Sequence, residues 1–188
     1  MQVIETRFGL SAQVLNAQNI ARLKLLPIES LLYLATPEEM PVSGAPHTVN
    51  KYGIVVTRGA PLTELRFPVG GCTMQETSQQ LAEGGTYDLE LTAIIPRNEP
   101  TLLNWLEQNK GREWLAIWLD QNGFAYVGGE QENGLAMNVS RSIREANSVA
   151  LTLRSRYWHS VYFLESFDSA DLFADAAFDH SFSISFDS

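Results

Sequence analysis

The chain predicts a mainly β protein, an antiparallel β-sandwich or partly open β-barrel with one flanking helix. Three observations carry this. Tyr87, Leu89, Leu91, Ala93 and Ile95 alternate with Asp88, Glu90 and Thr92, so one face of that strand can be buried while the other stays wet. Asn122-Gly123 and Asn133-Gly134 are tight-turn signals beside further strand-like runs. A single stretch, Asn98 to Gln108, shows a helical period, whereas a βαβ protein needs repeated crossover helices.

From the start of the chain, Val14, Leu15, Ile20, Leu23, Leu25 and Leu26 lie among amide side chains, with Ser11 placed to cap a short helix. That spacing fits a short helix or an extended arm, so residues 1–22 read as an arm preceding a β-rich core domain over 23–164. Beyond Pro27, Ile28 to Ala35 reads as a strand that stops before Pro37, and Pro41, Gly44 and Pro46 make an irregular connection. Gly53 to Thr57 is a short β-branched strand. Leu65, Phe67 and Val69 alternate with Arg66 and Pro68 before the Gly70-Gly71 break. Cys72 to Gln79 leads to a turn around Glu83-Gly84-Gly85, and the long alternating strand that follows ends at Pro96.

In the helical stretch, Leu102, Leu103, Trp105 and Leu106 gather on one side, Pro100 sits in the first turn and Gly111 follows the stop. That face is expected to cover an open side of the β core, because a lone helix of this length is marginal. Trp114 to Leu119 and Phe124 to Val127 form a hairpin about Asp120-Gln121-Asn122-Gly123. Leu135 to Val139, then Val149, Leu151 and Leu153, then Val161 to Leu164 complete the core.

Composition excludes several functions. The formal net charge of -9 comes from 22 acidic and 13 basic residues without a dense Lys/Arg run, which argues against a nucleic-acid binder. Arg141, Arg144, Arg154 and Arg156 read as a solvated face or subunit rim. No segment approaches the roughly 18 to 20 apolar residues of a membrane helix, and Met1 to Leu10 lack the pattern of a cleaved signal. Cys72, the single cysteine, reads as a packing residue.

No catalytic, cofactor or metal site is expected. His47, His159 and His180 lack metal-ligand spacing, and Asp120 to Gly123 lack the later oxygen ligands of a calcium loop. Gly70-Gly71, Gly84-Gly85 and Gly128-Gly129 make no phosphate loop, and Ser160 beside His159 has no nucleophile-elbow context. Glu90, Glu113 and Asp120 read as solvent-facing or turn residues. Trp105, Trp114 and Trp118 read as core, the last two on one face of a strand, while Tyr157 and Trp158 are interface candidates.

Residues 165–188 read as an acidic assembly arm. Glu165, Asp168, Asp171, Asp175, Asp179 and Asp187 are unopposed by Lys or Arg, while Phe167, Phe173, Phe178, Phe182 and Phe186 recur as apolar anchors for a neighbouring subunit. The alternative for this segment is a flexible terminus or a last strand folded on its own domain.

Leu25-Leu26-Pro27-Ile28, Leu65-Arg66-Phe67, Gly85-Thr86-Tyr87 through Ile95-Pro96-Arg97, Leu102-Leu103, Trp114 to Gly123, Tyr126-Val127-Gly128 and Gly134-Leu135, in that order, resemble a family of small structural proteins of tailed bacteriophages and prophages, particularly those of Bacteroidetes hosts. The resemblance spans about residues 20 to 164. It implies a virion component: a tail-tube-like subunit, or an allied head-tail or tail-completion protein, that forms homo-oligomeric and commonly hexameric rings around a DNA conduit. Its implied partners are other tail or connector proteins, with DNA as transient cargo and no membrane. Its implied location is the virion tail, with assembly in the bacterial cytoplasm. An acidic lining would repel phosphate and let DNA pass. The alternative reading is a β-sandwich binding module for glycan or protein, marked by an exposed Trp/Tyr cleft.

Overall fold

The computed structural model of the chain describes residues 17–81, 84–143, 147–173 and 183–184. In chain order it has β1 (Ile20–Pro27), a 3-10 turn (Ile28–Ser30), β2 (Leu31–Leu34), β3 (Thr48–Val49), β4 (Ile54–Val56), β5 (Thr63–Arg66), β6 (Cys72–Leu81) and β7 (Gly84–Pro96). There follow α1 (Pro100–Gln108), β8 (Glu113–Asp120), β9 (Ala125–Gly128), β10 (Leu135–Ile143), β11 (Asn147–Tyr157), β12 (Tyr162–Leu164), α2 (Ser169–Leu172) and β13 (Ser183–Ile184). Eleven strands share one sheet whose main path runs β13-β5-β1-β8-β10-β11-β7-β6, while β2 and β4 pair apart from it. The sheet curls into an open half-barrel flanked by α1, as the fold-class reading expects. At its far end β6 comes back near β1 but forms no ladder with it.

Alternation decides what the curl encloses. Leu89, Leu91, Ala93 and Ile95 of β7 face inward with Val149, Leu151 and Leu153 of β11, Leu23 and Leu25 of β1, and Trp114, Ala116 and Trp118 of β8. Leu102, Trp105 and Leu106 of α1 close this inner cluster, and the Trp105 and Trp114 rings lie 5.5 Å apart. Cys72 is wholly buried here, and burial pushes its thiol up to about 12.

The opposite face of β1 and β8 is also buried. Leu26, Leu115 and Ile117 meet Leu31, Val49, Ile54, Ala125, Val127 and Leu164 in a second, outer cluster. This layer exists because the sheet forks at β8. Glu113 and Trp114 pair with β10, whereas Ala116 to Leu119 pair with β9, which carries on to β12 and β3. The fork requires close backbone approach. A Cβ on Gly129, at φ +111, would sit 2.7 Å from the Trp114 carbonyl oxygen, and one on Gly134 would sit 2.7 Å from Glu113 Cβ.

Three sequence expectations change. Ile20 to Leu26, whose spacing fits a short helix or an extended arm, is the strand β1, held on both sides by β5 and β8 and running across the expected boundary at residue 22. Ile28 to Ala35 is not one strand: Pro27 ends β1, a 3-10 turn reorients the chain, and β2 then pairs with β4 outside the main sheet. The division at Glu165 also gives way, since Phe167, Leu172 and Phe173 are buried in the outer cluster of the same chain.

Candidate functional site

The outer face of β11, β7 and β6 carries no covering layer among the described residues. Its cross-strand rows are polar: Arg154, Glu90 and Gln75 stand side by side, as do Arg156, Asp88 and Thr77, and Thr152, Thr92 and Thr73. Arg156 Nε donates to Asp88 Oδ1 at 2.5 Å and its Nη2 to Oδ2 at 3.2 Å, while Arg154 Nη2 reaches Glu90 Oε2 at 2.7 Å. The bonds from Arg156 hold the Asp88 carboxyl below the usual carboxylate range. Gln79 Nε2 adds a bond to Asp88 at 2.9 Å. Two arginines thus neutralise two carboxylates, and the rest of these three rows is hydroxyl and amide, with the half-exposed Ile94 beside Ala150 at the Pro96 end of β7.

This face ends at the free edge of β6, which pairs only with β7 among the described residues. Ile94 N donates to Gly71 O at 2.7 Å, and the β6–β7 register places these two residues opposite each other. In an antiparallel ladder such bonded positions recur every second residue. The odd-numbered residues of β6 therefore bond β7, and the N–H and C=O groups of Met74, Glu76, Ser78 and Gln80 face outward. No described residue hydrogen-bonds to those outward groups.

A second polar constellation sits at the mouth of the inner face. The chain leaves β11 at Tyr157, whose ring stacks on His159, which in turn stacks on Tyr162 at 4.2 Å. His159 Nε2 lies 2.6 Å from Glu130 Oε1 and Nδ1 2.7 Å from Ser160 O. Ser160 Oγ and Val161 N both donate to Glu76, at 2.6 and 2.8 Å. His47 Nε2 lies 3.0 Å from Val161 O. These groups are consumed in tying the β11–β12 crossover to β6 and to the turn at Glu130. Burial pushes the Tyr157 phenol up to about 12.

A third feature is apolar. Phe124 and Phe163, both exposed, lie edge to face at 5.9 Å beside a cavity of about 450 Å³, and Tyr126 stands between Phe163 and Trp118. Tyr126 donates to Asp120 Oδ2 at 3.1 Å, and burial, reinforced by the Asp120 charge, pushes its phenol up to about 12.

The interface candidates of the sequence do not converge. Arg141 is exposed on β10 with its Nε 3.3 Å from Asn98 Oδ1, and Trp158 is 75% exposed. Tyr157 is buried in the inner cluster, and Phe167 and Phe173 are buried in the outer one, so none of these three is free for a neighbouring subunit. Arg144, Phe178, Phe182 and Phe186, like His180, lie outside the described residues. Arg154 and Arg156, read as a solvated face or subunit rim, are exposed and paired with carboxylates of their own chain. The β6 edge went unnoticed because Cys72 to Gln79 shows which residues alternate, not which strands flank them. Trp114 and Trp118 are core and share one face, as expected. No family model, curated protein or solved structure matches the chain, so the tail-protein resemblance rests on the order of its elements alone.

Proposed function

We propose that this chain is a non-enzymatic structural subunit of the tail-tube-like kind that the resemblance implies, assembling with copies of itself into a ring around a DNA conduit. The observation that carries this reading is the unclosed half-barrel, whose long sheet stops at an uncovered β6 edge. A sheet edge of ten residues invites pairing with another chain and is ordinarily blocked in monomers by charge, proline or a covering loop. The adjoining outer face supports the same reading. Hydroxyls, amides and neutralised ion pairs offer phosphate no net attraction, which suits a surface that DNA passes without being held. Other tail or connector proteins are the expected further partners, and the virion tail the expected location.

The Phe124–Phe163 cluster and its cavity favour a second reading, a binding module for glycan or protein. Native mass spectrometry over a concentration series, with electron microscopy of the same samples, separates the two. Rings or tubes support the structural reading. A chain that stays monomeric throughout, and that binds a glycan or protein partner with shifts at Phe124 and Phe163, replaces it.

A further inference from the structure

We infer that β6 pairs antiparallel with β6 of a second copy, Thr77 opposite Thr77, extending each sheet into the other. The inference rests on the assembly reading above and names its first contact.

Charge selects the occupant. In a chain of net charge -9, two copies approach most easily where neither carries surplus charge. β6 holds one ionisable side chain apart from the buried Cys72: Glu76, turned inward and bonded by Ser160 Oγ and Val161 N. On its other side β6 adjoins Asp88 and Glu90, both paired with arginine. The amide and hydroxyl side chains that β6 shows outward, Thr73, Gln75, Thr77 and Gln79, are both donors and acceptors and so complement themselves.

Charge also selects the register. A two-fold axis normal to the sheet keeps inner faces together, so it must pass through a residue and not between two. Two registers pair nearly all of β6. One centres on Glu76 and sets two carboxylates against each other, which is unfavourable for a directly opposed pair. The other centres on Thr77. It sets Gln75 against Gln79 and Glu76 against Ser78, and the outward N–H and C=O groups of Glu76 and Ser78 then bond each other across the junction. Such a contact is two-fold and self-limiting, so it makes a building block that other surfaces must join into a ring.

The full-length chain tests this through disulfide trapping. In the Thr77-centred register the two Thr77 positions form a non-hydrogen-bonded pair about 4.5 to 5.5 Å apart at Cα, within disulfide reach. Thr77→Cys should convert to a covalent dimer under mild oxidation, while Ser140→Cys, on the outer face of β10 away from the edge, should remain uncrosslinked. Gln75→Cys alone should not crosslink, because its two copies are offset by about 14 Å, but a mixture of Gln75→Cys and Gln79→Cys should. Ser78→Pro removes an outward N–H and spares the β7 ladder, so it should weaken self-association roughly tenfold without unfolding the subunit. Crosslinking of Thr77→Cys no faster than Ser140→Cys, in a chain that still oligomerises, overturns the β6 pairing and leaves the assembly reading standing. Self-crosslinking of Gln75→Cys as fast as the mixture overturns the register. A wild-type chain that is monomeric at every concentration overturns both the pairing and the assembly reading.

Discussion

Over β1, β8 and β9 the outer face of the sheet is covered by β2, β4, β12 and the segment around Phe167. Over β11, β7 and β6 the same face is bare among the described residues. The strands differ accordingly. β8 has apolar residues pointing both ways, Trp114, Ala116 and Trp118 inward and Leu115 and Ile117 outward, while β7 points Leu89, Leu91 and Ala93 inward and Asp88, Glu90 and Thr92 outward. A continuous apolar run thus belongs to a strand buried on both sides, and strict alternation to one that borders solvent or a partner. The largest test of this contrast is a pair of truncations. Leu115→Ala should cost about 2 to 5 kcal/mol of unfolding free energy, whereas Thr73→Ala, outward on β6, should stay within about 0.5 kcal/mol. Comparable losses from urea unfolding would mean that the bare face is covered after all.

The cover itself provides the next test. Phe173→Ser and Phe167→Ser each remove a buried ring from the outer cluster and should cost about 2 to 4 kcal/mol in the isolated subunit, while Trp158→Ser should change stability little. If both phenylalanine variants keep full stability and lose only association, these rings belong to an interface and not to the outer cluster.

The same contrast explains what could be read in advance. The period-two runs of β7 and β11, the Asn-Gly turn after β8 and the amphipathic α1 are local patterns, and each stands where its pattern places it. The outer layer is built from strands of two to four residues, Leu31–Leu34, Thr48–Val49, Ile54–Val56, Ala125–Gly128 and Tyr162–Leu164, too short for any period to declare a face. Phe167 and Phe173 read as anchors for a neighbouring subunit because they recur in an acidic segment, but tertiary packing overrode that local signal: both are buried in the outer cluster, and Lys24 and Arg22 lie over the Phe167 ring. The histidine–tyrosine stack of Tyr157, His159 and Tyr162 lies in one short stretch, but His47 and Glu130 join it from two distant segments that sequence spacing does not announce.

Lys24 tests how firmly the cover is latched. It lies on the outer face of β1, almost fully buried, with Nζ donating to Phe167 O at 2.5 Å and Ser169 Oγ at 2.7 Å, 4.1 Å from the Phe167 ring centre. Burial lowers its pKa from 10.5 to about 8, with Glu64 opposing, Arg22 assisting and Asp168 opposing. Between those values the unfolded chain holds a proton that the folded chain has released, so stability rises with pH through this window and is lost again as pH falls back through it. The full increment is on the order of 3 kcal/mol. Cys72, raised from 9.0 to about 12, acts in the opposite sense above pH ~9, and Tyr126 and Tyr157, raised to about 12, do so above pH ~10, so the effect is cleanest between pH ~8 and ~9. Denaturant titrations in that range should show the rise in wild type and its absence in Lys24→Met. A rise that persists in Lys24→Met would assign it to another group.

The smallest expected effect separates the turn after β8 from the fork beside it, two glycines at positive φ for different reasons. Gly123, at φ +88, closes the β8–β9 hairpin with Asp120 accepting from Asn122 N and Phe124 N, and a Cβ there meets nothing within 4 Å. Gly123→Val is therefore opposed by backbone strain alone and should cost about 1 to 3 kcal/mol. Gly123→Asn should recover much of that, because asparagine tolerates the left-handed region. At Gly129 the Trp114 carbonyl leaves no room, so even Ala must shift the β8 backbone and no residue with a side chain should rescue it. Thermal unfolding of Gly123→Val, Gly123→Asn and Gly129→Ala decides the matter. Rescue by asparagine at 123 with loss at 129 marks the hairpin as a local device and the fork as a packing constraint. Equal losses for valine and asparagine at 123 would mean that the turn, too, is held by contacts and not by its own conformation.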